Sequence, residues 1–336
     1  MRIVIATPLY PPEIGGPATY AKELNERIAA SGNDVVLVKF SDVRLYPKML
    51  RHVAYFWRVF RAAREADAVL AFDTWSTGVP ALIAAKARKK KILVRIGGDF
   101  LWETYVQRTR NFITLSEFYA TKRPLSLKEQ IIRMGARLIT TYADAIIFNT
   151  AWQKNLWEKI YDLDQKKASV IENAYPTGRE TSPAKGRVFV AAARASFLKN
   201  TEMLETIFTD LKRTFPDIEL DTRILPPSMH EERIRYAYAV IVPSMSEISP
   251  NTAIDAIRYD KPFIMPYDNG ARERLAEVGI FVDTFDANAL RQKIEMLLDA
   301  AEYARACERV RTFSFSHPWE EVVKEFLAVL RKICVS

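Results

Sequence analysis

Apolar residues in the first half of the chain come in short continuous runs at 3–6, 35–38, 68–71, 92–94, 145–148 and 169–171. Short unbroken runs, as opposed to alternating ones, suit strands buried on both faces. Between them the period changes. Residues 20–30 place Leu24 and Ile28 on one helical face, and residues 47–66 carry apolar side chains at helical spacing with Arg and Lys interleaved. Such alternation predicts a parallel sheet covered by helices on both sides. Residues 176–186 interrupt it with two prolines, two glycines and mostly polar side chains, which predicts a linker. Strand and helix then alternate again. A strand is expected at 188–193 and a helix at 201–213 with Leu204, Ile207, Phe208 and Leu211 in register. Further strands are expected at 239–242, 262–265 and 279–282, and an amphipathic helix at 319–333. The expected fold class is α/β, with two Rossmann-like doubly wound parallel-sheet domains in tandem at 1–175 and 186–314. Ligands of such folds bind in a crevice outside the carboxyl ends of the strands.

With 336 residues the chain has room for two such domains, and 49% hydrophobic with 27% charged residues suits a globular protein. Cys307 and Cys334 are the only cysteines, so neither a disulfide framework nor a cysteine metal cluster is expected, and a reducing, cytoplasmic setting fits. Residues 1–7 read as a buried strand and not as a leader, and no apolar run reaches the roughly 20 residues of a membrane span. The net charge of +8 suits phosphorylated substrates, an anionic membrane surface or nucleic acid, against the plainer reading of a basic surface with no specific partner. No nucleic-acid motif is present. Residues 45–66 and the basic run 87–91 are the stretches that suit a membrane surface on the inner face, against the plainer reading of a cover helix and a solvated turn. His52, His230 and His317 stand at spacings that suit no metal and receive no role.

Several polar residues fall at strand carboxyl ends. Gly15 and Gly16 follow the first strand and precede a helix, where glycine lets backbone approach a ligand and free N–H groups suit an anion. An ordinary tight loop is the alternative. Asp73 and Asp99 follow neighbouring strands, each with a tryptophan nearby (Trp75, Trp102), the acceptors and flat faces that a sugar site uses. Turn-forming aspartates are the plainer reading. In the second domain Arg194 ends a strand and Lys199 precedes a helix N-capped by Asn200 or Thr201. Two cations there would hold a diphosphate. Ser249 is expected as an N-cap with Pro250 in the first helical position. Asn251 and Asp255 then share a helix face, Ile254 and Ile257 lie on the buried side, and Glu247 reaches the same crevice from the loop before. A phosphorylated sugar fits that arrangement. Asp162 and Asp164 mimic a metal-binding Asp-x-Asp but lie in a polar helix-to-loop stretch and read as surface.

The sequence resembles retaining glycosyltransferases of the GT-B fold, family 4 in particular. The resemblance rests on Met1-Arg-Ile-Val-Ile-Ala with Pro11-Pro-Glu-Ile-Gly-Gly16, on Arg194 with Lys199, on Glu247 and Asp255 at the two ends of a Glu-x7-Glu motif, and on Phe315-Ser-His-Pro-Trp-Glu320. It implies a nucleotide-sugar donor whose diphosphate meets Arg194, Lys199 and the Gly16 backbone, whose ribose meets Asp255 and whose sugar meets Glu247. It also implies no metal and no other cofactor, since protein cations and helix ends would stabilise the leaving diphosphate. Residues 315–336 would cross back onto the first domain. Three departures stand out. Asp255 replaces the second Glu, Ile248 stands where glycine follows the first, and Gly97-Gly98-Asp99 stands where the family often has His. One strand–helix unit of the second domain is also expected to be missing after 218–225.

The expected activity is therefore transfer of a sugar, with retention, from a nucleotide-sugar to the hydroxyl of a glycan or lipid-linked acceptor. Asp99, with Asp73 behind it, is the first choice for positioning acceptor or sugar. The alternative from another class is a non-catalytic GT-B-like scaffold that binds sugar or nucleotide. A dinucleotide oxidoreductase is disfavoured because no Gly-x-Gly-x-x-Gly follows the first strand, and no P-loop is present.

Overall fold

A computed structural model describes residues 1–175, 177–191 and 196–335. The chain forms two compact units. The first contains residues 1–104, 123–174 and the chain from Pro318 onward; the second contains 105–122 and 175–317.

In the first unit, β1 (Arg2–Thr7), α1 (Gly16–Ala30), β2 (Asp34–Lys39), α2 (Lys48–Ala62), β3 (Ala68–Phe72), α3 (Gly78–Ala87) and β4 (Lys91–Ile96) follow in order. Next come α4 (Phe100–Thr109) and α5 (Leu115–Ala120), then α6 (Leu127–Tyr142), β5 (Ala145–Phe148), α7 (Ala151–Tyr161) and β6 (Ala168–Val170). The second half of α4 and all of α5 group with the second unit. The six strands are parallel in the order β2-β1-β3-β4-β5-β6. Consecutive residues of β1 serve opposite faces, which is why the whole run is apolar. Ile3 and Ile5 pack with Leu24 and Ile28 of α1, whereas Val4 packs with Tyr55 and Val59 of α2, Ala81 and Ala85 of α3, Ile139 of α6 and Trp157 of α7.

The second unit runs through β7 (Arg187–Val190), α8 (Thr201–Leu211), β8 (Ile218–Asp221), α9 (Pro227–Arg235), β9 (Ala239–Ile241), α10 (Asn251–Arg258), β10 (Phe263–Pro266), β11 (Ile280–Val282), α11 (Ala287–Leu298) and α12 (Ala300–Thr312). Its five strands are parallel in the order β11-β10-β9-β7-β8. A single helix, α9, joins β8 to β9, and β8 is the sheet edge. The last helix, α13 (Trp319–Val335), belongs to the first unit, where Val322, Phe326 and Leu330 cover the same sheet face as α1.

Two expectations need correction. The polar stretch expected as a linker is bound to the second unit. Arg179 donates to the carbonyls of Ile257 (3.1 Å) and Val310 (2.6 Å), to that of Phe313, and to Asp260 Oδ1 (2.9 Å). Glu180 pairs with Arg235 and Arg258, and Lys185 N–H donates to the Tyr236 carbonyl (3.0 Å). Its polarity reflects the carbonyls left open where α10 and α12 end, which a cation satisfies. The second correction concerns α10, which begins one residue later than expected. Pro250, with φ −78° and ψ 93°, occupies the N-cap position, no side chain caps the helix, and Ser249 lies outside it.

Candidate active site

At the carboxyl end of β1, Gly15 has φ 145°, a conformation that side chains rarely adopt, and its carbonyl accepts the N–H groups of Ala18 (2.9 Å) and Thr19 (3.2 Å) as α1 opens at Gly16. The loop is braced from behind. Glu13 accepts from Tyr10 N–H (3.0 Å) and pairs with Arg44.

Asp73 and Asp99 are both tied to the starts of helices. Asp73, at φ 79°, accepts through Oδ1 from the N–H groups of Trp75 (2.8 Å), Thr77 (3.0 Å) and Gly78 (3.2 Å) as α3 opens. Burial raises its pKa to about 6, and the three N–H donors limit the rise. Gly78 has no room for a side chain, since a Cβ there would lie 2.4 Å from the Asp73 carbonyl oxygen. Asp99 is 1% exposed. It accepts from Trp102 N–H (2.9 Å) at the start of α4 and from the indole Nε1–H of Trp157 (3.2 Å) on α7. The adjacent tryptophans do not form the sugar platforms expected from the sequence. Trp102 is buried, and the ring of Trp75 lies where a Cβ on Gly135 of α6 would meet it at 2.9 Å. The Trp75 ring packs between α6 and His52 of α2, which the local sequence around Asp73 cannot show. Next to them, Arg95 lies buried at the end of β4. It is held by Asn173 (2.8 Å) and stacked over Tyr20 at 3.7 Å.

In the second unit the structure brings Lys199 and Glu247 together. Lys199 ends a short 3-10 turn at Phe197–Lys199, before α8, and Glu247 lies in the loop between β9 and α10. Their side chains form an ion pair. Ser244 completes a triangle, donating to Glu247 Oε1 (2.6 Å) and accepting from Lys199 Nζ (3.1 Å). The triangle is fixed in turn by its backbone. The Ser244 carbonyl accepts from Thr284 Oγ1 (2.9 Å), the Thr284 carbonyl accepts from Asn200 Nδ2 (2.6 Å), and Met245 N–H donates to the Leu198 carbonyl (2.9 Å). Glu247 is clamped through its own N–H to Asp268 (3.1 Å) and through its carbonyl from Gly270 (2.9 Å). Arg194 lies outside the described residues.

Asp255 keeps separate company on α10. His230 of α9 approaches it at 3.9 Å, which gives a role to a histidine that sequence spacing left without one. Burial, reinforced by the negative Glu231 and opposed by Arg258, raises the Asp255 pKa to about 7. Burial and then Arg233 lower that of His230 to about 4. Near neutral pH the imidazole is therefore uncharged and the carboxyl group is near its midpoint. Ile254 and Ile257 are buried, as their spacing predicts, and Asn251 is exposed at the helix start. Ser244 and His230 are the site residues that sequence reasoning missed. The signal for Ser244 was its place between β9 and Glu247; for His230, the helix that occupies the shortened part of the domain.

Among the described residues no group of three or more His, Cys, Asp and Glu side chains is arranged to hold a metal ion. Asp162 adopts a left-handed conformation at the end of α7, and Asp164 accepts from Lys166 N–H (3.0 Å), so both shape a turn. No described helix is long and apolar enough to cross a membrane.

Two parallel α/β units of this topology define the GT-B fold, and solved structures bear this out. The chain superposes on sucrose-phosphate synthase from Thermosynechococcus elongatus with a TM-score of 0.72 at 15% identity, covering 99% of each chain. It superposes on Anabaena HepE, solved with UDP and glucose, at 0.69 and 12% identity, covering 98% of this chain and 99% of that one. For WaaG, a glycosyltransferase involved in lipopolysaccharide biosynthesis, the TM-score is 0.66 at 12% identity, again covering 98% and 99%. Residues 14–179 match the family model described as Glycosyltransferase Family 4, and no curated protein sequence matches the chain. The chain has the GT-B fold and is similar to glycosyltransferase family 4 over its first half.

Proposed function

We propose that the protein transfers a sugar from a nucleoside-diphosphate sugar to the hydroxyl of a glycan or lipid-linked acceptor in the cytoplasm, with retention of anomeric configuration and without a metal ion. The observation that carries this reading is the Lys199–Ser244–Glu247 triangle, which joins Lys199 to two side chains more than forty residues further on, at the carboxyl end of the second sheet. Glu247 and Ser244 hold the Lys199 ammonium in place for a diphosphate, a preorganised charge that strengthens as negative charge develops on the leaving group. Glu247 accepts from the hydroxyls of the transferred sugar, and Asp255, when ionised, accepts from the ribose. Asn251, Ser249 and Pro250 shape the start of α10 where the donor passes.

The reaction needs no strong side-chain base. As the bond from C1 to the diphosphate oxygen breaks, the acceptor oxygen attacks C1 from the same face. Its proton passes to the departing phosphate oxygen, so the products are the glycoside and the nucleoside diphosphate. Asp73 and Asp99 serve by holding the loops before α3 and α4, a role that fits their hydrogen bonds better than contact with the acceptor.

The test is release of nucleoside diphosphate from a panel of nucleotide-sugars, with and without a chelator, followed by NMR of the product anomer. Release that survives the chelator, is lost in Glu247→Gln and yields the retained anomer is expected. Release that requires a divalent ion or inverts the anomer overturns those parts of the reading. The absence of any release points instead to a binding scaffold.

A further inference from the structure

We propose that His230 is a specificity-determining residue of the donor site. With Asp255 it reads one hydroxyl of the donor's ribose: the imidazole donates to the hydroxyl oxygen while the hydroxyl donates to the carboxylate. The inference rests on the transferase reading above and adds to it a residue and a discrimination, ribonucleotide over deoxyribonucleotide. His230 lies on α9 and Asp255 on α10, two helices that pack against each other in the second unit. Nε2 of the imidazole faces Oδ2 of the carboxylate at 3.9 Å. That is too long for a direct hydrogen bond. Among the described residues neither atom has another partner at hydrogen-bond distance. Both side chains are partly open to solvent, at 20% and 34% exposure, so a ligand can reach them. One oxygen atom at about 2.8 Å from both fits such a gap.

The surroundings of His230 decide which ring nitrogen carries the proton. Arg233, one turn further along α9, places Nη2 3.2 Å from His230 Nδ1. A guanidinium has donors only, so Nδ1 accepts, and the single proton of the neutral ring sits on Nε2, toward Asp255. The ring is neutral near pH 7 because burial, and then the Arg233 charge, hold its pKa at about 4. Arg233 is itself fixed. Its side chain is 7% exposed, and Nη1 donates to Asp221 Oδ1 (2.9 Å) and to the Arg223 carbonyl (2.6 Å). Asp221, at the end of β8, is held from its other side by Arg223, which donates through Nε to Oδ1 (3.0 Å) and through Nη2 to Oδ2 (2.7 Å). Asp221, Arg233 and His230 thus present an oriented N–H on one side of the gap, and Asp255 presents an acceptor on the other. A hydroxyl is donor and acceptor at once and satisfies both. A C–H in its place leaves both unpaired, which is how a site built for a hydroxyl rejects the analogue that lacks it.

The test is calorimetric titration at about pH 8, where Asp255 is mostly ionised, with whichever of UDP, GDP and ADP binds and with its 2′-deoxy and 3′-deoxy forms. One deoxy form is expected to bind roughly tenfold more weakly than the ribonucleotide. His230→Ala is expected to weaken the ribonucleotide by a similar factor and to leave that deoxy form unchanged, because its contact was already missing. His230→Gln, whose amide still donates, is expected to keep part of the discrimination. Thermal melts check that both variants fold. Nitrogen-15 NMR of the imidazole in the free chain, which needs no nucleotide, is expected to place the proton on Nε2. Three results overturn the inference and leave the transferase reading standing: a proton on Nδ1, equal affinity of the wild type for all three ligands, or a His230→Ala chain that weakens all three alike. A folded wild-type chain that binds no nucleotide overturns the transferase reading and this inference with it.

Discussion

Replacing Asp99 by Ala tests whether this carboxylate holds structure or touches substrate. The change removes an acceptor from Trp102 N–H at the start of α4, which costs about 1 kcal/mol for a lost N-cap. It also takes the Asp99 acceptor from the Trp157 indole N–H in a core where Trp157 is 2% exposed, a penalty of about 1–3 kcal/mol. Together these give about 2–4 kcal/mol. At a urea slope of about 3 kcal/mol per M, the unfolding midpoint falls by roughly 1 M. Trp157→Phe keeps the cap but removes the indole donor and part of a buried ring, so it should also lower the midpoint. Nucleotide affinity should change in neither variant, because neither residue is part of the Lys199–Ser244–Glu247 triangle. The assays are urea unfolding followed by fluorescence and circular dichroism, and nucleotide titration of the folded variants. An Asp99→Ala protein of unchanged stability that has lost turnover would refute this reasoning and place Asp99 at the acceptor.

Three other changes have defined outcomes. Gly135→Ala puts a Cβ 2.9 Å from the Trp75 ring and should destabilise by about 1–3 kcal/mol, read as a lower urea midpoint; a neutral result would mean that the ring moves freely. Arg179→Ala leaves Asp260, 4% exposed at its side chain, without its cation and should cost about 3–5 kcal/mol in the same assay, whereas a mobile linker would tolerate the change. The pKa of Asp255 is raised to about 7, so its carboxylate form, the ribose acceptor, grows as pH rises through that value. Nucleotide affinity should rise by up to about tenfold from about pH 6 to about pH 8, and Asp255→Asn should flatten the profile. The sign for stability is opposite. A raised folded pKa stabilises the fold at pH below the usual carboxylate range, and that contribution is lost as pH rises through about 7. Thermal melts of wild type and Asp255→Asn across this window check it.

The sheets were legible in the sequence because each strand is buried on both faces and therefore apolar without interruption, as Ile3-Val4-Ile5 shows. What escaped depends on partners distant in sequence. Asp99 looked like a loop acceptor because Trp157, fifty-eight positions away, is invisible to local reading. The stretch around Arg179 looked like a linker because the carbonyls that Arg179 satisfies end two separate helices. The start of α10 moved by one residue because Pro250 takes ψ 93° and leaves the helix to begin at Asn251. The closeness of Lys199 and Glu247 followed from the family resemblance and not from spacing, and Ser244, which joins them, became visible only in the fold.

The central claim is that the second unit binds a nucleoside diphosphate through Lys199. The most direct measurement is calorimetric titration of the wild-type chain with UDP, GDP, ADP and TDP in the absence of divalent metal, repeated on Lys199→Ala. The account predicts that one nucleotide binds and that the substitution weakens it roughly 10- to 100-fold, the worth of one charge-assisted contact. A folded wild-type chain that binds none of the four, or that binds one equally well without Lys199, would contradict it.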